Sequence, residues 1–75
     1  MPANNYFLRK LASDELWDTM FFASGEVPTK VKSSDFTILK TKLFEAKIIT
    51  HRRITVNGVK CASVPAAKLF IQENL

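Results

Sequence analysis

The sequence predicts an α+β domain: helices packed with a β-hairpin in the C-terminal half, closed by a short final helix. Three observations predict it. Asn57-Gly58 lies between two segments rich in β-branched residues. Leu16, Trp17, Met20 and Phe21 recur at the three- and four-residue spacing of a helical face. The run 36–47 holds neither glycine nor proline. Seventy-five residues make a single domain, 1–75, near the lower size limit for a self-sufficient core. A composition of 47% hydrophobic and 24% charged residues, with two glycines and three prolines, is that of a folded chain.

Taken in order, Tyr6 to Leu11 is too short for periodicity to choose helix or strand, and Asn4 or Asn5 as a cap favours a short helix. Ser13 is read as the N-cap of a separate helix over 14–24, with Asp14 and Glu15 in the turn where the helix dipole favours negative charge. Trp17 anchors that helix in the core, and Gly25 ends it in the left-handed region. Residues 26–32 form a connector, with Pro28 excluding a continuous helix. Ser33, Ser34 and Asp35 offer another cap cluster. At about 100° per residue, Phe36, Leu39, Leu43 and Ala46 then align on one stripe of an amphipathic helix over 36–47. Thr37, Thr41 and Glu45 fall on its far side and Lys40 and Lys42 on its flanks; Ile38 points outward, unexplained by core packing.

Asn57-Gly58 is the strongest local signal, because both central residues of a type I′ turn need positive φ. A two-residue loop pairs Val56 with Val59, Ile54 with Cys61 and Arg53 with Ala62. Alternation puts Ile54, Val56, Val59 and Cys61 on one face and His51, Arg53, Thr55 and Lys60 on the other. Pro65 suits the first turn of a final helix from Ala66 to about Asn74, with Leu69 and Phe70 reaching the core.

This order resembles a winged helix-turn-helix DNA-binding domain, at the level of a superfamily pattern. The residues that carry the resemblance are Leu16 to Phe21 as first helix, 34–47 as recognition helix, and 48–64 as wing. Residues 43–49 are similar to the junction where the recognition helix runs into the first wing strand. The resemblance implies helix 36–47 in the major groove and hairpin 50–64 on the phosphate backbone. It also implies a full helix between the first two, where 25–33 leaves room for about one turn.

Charge agrees with a polyanionic partner. Residues 1–26 carry a net −2 and residues 27–75 a net +6, so most of the chain presents a positive field. Thr37, Lys40, Thr41 and Lys42 on the helix are placed to meet phosphates and base edges. His51, Arg52, Arg53 and Lys60 on the hairpin are placed to clamp phosphates, with Lys30 and Lys32 as additional contacts. The expected function is a small regulatory protein binding double-stranded DNA. The alternative is a protein–protein adaptor or inhibitor that uses the same fold, with helix 14–24 and exposed apolar residues gripping a larger protein; Ile38, with Tyr6 and Phe7, is the expected surface for a homodimer or other partner.

No catalytic constellation emerges. His51 and Cys61 are the only soft ligands, short of the four close ligands that zinc takes, and the pairing register sets them on opposite faces. Cys61 reads as a small core residue. Two isolated glycines build no phosphate loop. No cofactor, metal or small-molecule substrate is expected. A single cysteine fits a reducing compartment, and no apolar run approaches the roughly 18 residues of a membrane span. The first residues lack a basic segment followed by an apolar one. The expected location is cytoplasmic, with no membrane partner.

Overall fold

A computed structural model describes residues 5–75. Helix α1 (Asn5–Ser24) leads into strands β1 (Thr29–Lys32), β2 (Thr37–Lys40), β3 (Glu45–Thr50), β4 (Arg53–Val56) and β5 (Val59–Cys61), and helix α2 (Val64–Glu73) follows. The strands form one antiparallel sheet in the order β1-β2-β3-β4-β5. Both helices lie against the same face, α1 on β2 and β3 and α2 on β4 and β5, and they touch each other. Such a one-sided sheet buries alternate residues and leaves the rest to solvent. The α+β class is as expected. No helix among the described residues is long and apolar enough to cross a membrane.

The core is the set of side chains between the two layers. Ala12, Leu16 and Met20 come from α1, Leu39, Ala46, Ile48, Ile54, Val56 and Cys61 from the sheet, and Ala67 and Ile71 from α2. In α1 the four-residue spacing of Ala12, Leu16 and Met20 defines the buried stripe, and Trp17 is half-buried at its margin, stacked on Phe21 with ring centroids 5.6 Å apart. That stripe runs through Ser13, so the expected break between a short helix and helix 14–24 does not occur. Ser13 is a buried mid-helix residue, not a cap. Nothing between Tyr6 and Ser24 is a helix breaker, and serine in a helix interior costs only a few tenths of a kcal/mol, about 0.5. The cap expected at Asn4 lies outside the described residues. At the other end Gly25, with φ 72°, donates its N–H to the Phe21 carbonyl at 2.9 Å and ends the helix as expected.

The expected helix over 36–47 is not formed. Those residues make β2, a turn and the first half of β3. Their burial follows a period of two: Thr37 and Leu39 face inward on β2, Ala46 and Ile48 on β3, with Ile38, Lys47 and Ile49 between them facing away. The outward Ile38 that a helix left unexplained is the middle residue of a strand. The connector 25–33, expected to hold about a turn of helix, supplies β1 instead, and Ser33 caps no helix. Its hydroxyl accepts the N–H groups of Asp35 and Phe36 at 3.2 and 3.3 Å, closing the β1–β2 turn. A serine hydroxyl two or three residues ahead of free N–H groups serves a turn as well as a helix cap, so the local chemistry was read correctly and the element was not.

The β4–β5 hairpin forms in the expected register, with Val56 opposite Val59, Thr55 opposite Lys60 and Ile54 opposite Cys61. Asn57 and Gly58 both have positive φ, at 53° and 81°. Ile54, Val56 and Cys61 are buried, while Val59 is 48% exposed at the rim. Pairing on this side stops at Ile54 and Cys61, so the expected pair of Arg53 with Ala62 is not formed; on its other side Arg53 lies opposite Thr50 of β3. Residues 50–64 are thus not one hairpin: His51 and Arg52 form the turn between β3 and β4. Ser63 caps α2, accepting the Ala66 N–H at 3.2 Å, with Pro65 in the first turn. Ala67 and Ile71, rather than the 54%-exposed Leu69, carry that helix into the core.

Candidate nucleic-acid interface

The sheet face away from the helices is open. Register places Val31, Ile38, Lys47, Thr55 and Lys60 in one row across all five strands. At about 4.8 Å between strands, Lys47 and Lys60 stand two strands apart, about 10 Å, with Thr55 between them. Toward the β3–β4 turn the row deepens into a groove of about 710 Å³, lined by Lys47, Ile49, Arg52, Arg53, Thr55, Lys60 and Ala62 among others. The register shifts between Ile48 and Thr50 beside this groove, an irregularity of the kind that increases local strand twist.

Four cationic side chains surround this groove and no carboxylate lines it. Among the described residues none of the four takes part in an ion pair. Lys47 is positioned by Phe36, whose ring centroid lies 4.8 Å below its ammonium. Arg52 donates its backbone N–H to the Thr50 hydroxyl at 3.2 Å, which fixes the turn from which its side chain lines the groove. The groove therefore offers two planar guanidinium forks and two ammoniums over an apolar floor. That is a donor set for phosphate oxygens.

The residues expected to bind nucleic acid do not all come together. Arg52, Arg53 and Lys60 share the groove. His51 sits half-buried in the adjacent turn, with its Nδ1 buried and without a hydrogen-bond partner among the described residues. Thr37 and Thr41 are corrected outright, being 5% and 7% exposed and turned to the interior. The Thr41 hydroxyl accepts the Phe44 N–H at 3.2 Å and closes the β2–β3 turn. Lys40 and Lys42 lie at the opposite end of the sheet from Arg52. Lys40 is 3.9 Å from Glu45 across the strands, and Lys42 donates its backbone N–H to the Glu26 carboxylate. Lys30 and Lys32 fall on the helix side of the edge strand β1, in register with the buried Leu39 and Thr37. Reading the sequence missed Lys47, because it was placed at the end of a helix. The alternation Ala46, Lys47, Ile48 was the signal that could have found it.

The Cys61 thiol faces the core, donating to the Val59 carbonyl at 3.6 Å, and burial pushes its pKa up. A thiol so placed is a weak nucleophile. Comparison with known protein families, with curated proteins and with solved structures finds no match for this chain.

Proposed function

We propose that this chain is a small regulatory protein that binds double-stranded DNA through the open face of its sheet. Strands β3, β4 and β5 take the place that the sequence reading gave to a recognition helix. The observation that carries the reading is the groove in which Lys47, Arg52, Arg53 and Lys60 converge without a carboxylate. Antiparallel strands are an established element for reading duplex grooves, and the major groove, about 12 Å wide, admits a two-stranded ribbon. In this reading Arg52 in the turn and Arg53 at the start of β4 grip phosphates. Lys47 and Lys60 flank Thr55, the residue at the centre of the face.

The test is a titration against duplex DNA at several salt concentrations. Neutralising one phosphate contact lowers the slope of log K against log salt by about 0.9, so Arg53→Ala and Lys60→Ala are each expected to flatten it by about one unit. Both should weaken random and preferred sequences alike. Lys40→Ala, at the far end of the sheet, is expected to leave the slope unchanged. Failure of the folded protein to bind duplex at low salt would sink the reading. The adaptor alternative would then rest on α1, where Phe22 is 83% exposed beside Asp18.

A further inference from the structure

We infer a second anion site, separate from the groove and on the helix side of the sheet edge, built to take one phosphate group. Its centre is Ser13. This side chain is 2% exposed in the middle of α1, and its hydroxyl oxygen is buried with no hydrogen-bond partner among the described residues. An unpaired buried hydroxyl is costly, and native structures keep few of them without a reason. Ser13 lines a small cavity of about 50 Å³ between α1 and β1, whose other walls include Arg9, Lys10, Lys30 and Lys32.

Three of the four cations are arranged by contacts of their own. Arg9 is held across the sheet end, its Nε donating to the Ile49 carbonyl at 2.8 Å and its Nη1 to the Ser34 carbonyl at 3.2 Å. Asp14, which does not line the cavity, draws the ammoniums of Lys10 and Lys30 from either side, at 3.3 and 3.9 Å. Lys32 has no ion-pair partner among the described residues. Four positive charges against one carboxylate leave a surplus of three beside a hydroxyl donor. A tetrahedral oxyanion matches this set: Ser13 donates to one oxygen while Lys32 and the Asp14-tethered lysines neutralise the others. The cavity is small, about 50 Å³, which suits a compact anion such as a single phosphate group. Its ligand is either free phosphate or one phosphate of a nucleic-acid backbone. Lys30 and Lys32, assigned to phosphate contact from sequence, then serve this site and not the groove.

The test uses the full chain and sodium phosphate at pH 7, with sodium chloride at matched ionic strength as the control. Amide resonances of Ser13, Lys32 and Ser33 are expected to shift saturably with phosphate and not with chloride. Lys32→Ala should weaken that binding about tenfold, and Lys42→Ala should leave it unchanged. Ser13→Ala should also weaken it, with an opposite effect on the free protein. By removing an unsatisfied buried hydroxyl it should raise Tm in phosphate-free buffer by about 5 °C, while losing the further rise that phosphate gives the wild type. A short duplex separates the two sources. Competition between duplex and phosphate at Ser13 assigns the site to a backbone phosphate, and simultaneous binding assigns it to free phosphate. Shifts no larger than those in chloride, or a Ser13→Ala protein that binds phosphate as wild type does, would overturn the site. Neither result bears on the groove, whose test is the salt slope of Arg53→Ala.

Discussion

The turns of the β2–β3 and β4–β5 hairpins lie at the same end of the sheet and are closed by different means. Between β4 and β5, Asn57 and Gly58 adopt positive φ at little cost, so two residues dictate the reversal. Between β2 and β3, residues 41–44 are Thr, Lys, Leu and Phe, none of them a turn former by backbone preference. That turn is shut by contacts. The Thr41 N–H donates to the Phe44 carbonyl at 2.8 Å, and Glu26 accepts the Lys42 N–H from a distant loop. Asn57 itself reaches back: its Oδ1 accepts the Glu45 N–H at 2.8 Å and its Nδ2 donates to the Leu43 carbonyl at 3.2 Å. The residue that makes one hairpin self-sufficient thus fastens the turn of the other. A turn that rests partly on partners far away in sequence, with no residue of left-handed preference, leaves little local signature.

This contrast predicts where the molecule breaks. The largest effect is expected in the hairpin that depends on its surroundings. Leu39 of β2 is fully buried, and Leu39→Ala should cost about 2–5 kcal/mol. In a domain whose total stability is about 5 kcal/mol or little more, denaturant titration should find it largely unfolded. A near-native midpoint would mean that β2 contributes little to the core.

A smaller effect is expected at the shared residue. Asn57→Gly keeps the backbone conformation and loses both side-chain bonds, a cost of about 1–2 kcal/mol. Asn57→Ala loses the bonds and also strains a residue at positive φ, adding about 1 kcal/mol. Urea titration of the two variants separates the turn's own contribution from the support it lends β2–β3. Equal costs would mean that the left-handed conformation is not what favours asparagine there.

The smallest effect concerns Cys61 at the end of the self-sufficient hairpin. Its folded-state pKa is raised by burial. The stabilisation this linkage provides is therefore complete below the unfolded thiol's pKa, about 8.5, and is lost as pH rises through the folded value. Stability of the wild type should fall more steeply than that of Cys61→Val above about pH 8.5, and the native thiol should react slowly with a disulfide reagent at neutral pH. Parallel pH profiles, or rapid native-state modification, would place Cys61 outside the core.

The candidate site was legible in the same uneven way. Arg52, Arg53 and Lys60 were legible because they lie on the segments either side of Asn57-Gly58, and strand alternation carried Arg53 and Lys60 to the open face. Lys47, Thr37 and Thr41 were misassigned together, since one wrong period places every residue of a segment on the wrong face. In residues 36–47 both periods fit the apolar pattern, and the helical one drew extra support from a serine and aspartate cluster that caps and turns use alike.

By itself the sequence determined the α+β class, the Asn57-Gly58 hairpin and its register, the end of α1 at Gly25, the final helix with Pro65 in its first turn and the buried Cys61. Each rests on a backbone preference or a capping contact made within a few residues. The tertiary structure decided that α1 continues through Ser13, because a core stripe from Ala12 to Met20 outweighs a local cap. It decided as well that 29–50 are three strands. Their turns are closed by hydroxyls and by side chains from Glu26 and Asn57, and the inward residues of β2 and β3 become a buried face only once α1 covers them. Which lysines share a groove followed from that sheet, and was settled by strand order rather than by any run of residues in the chain.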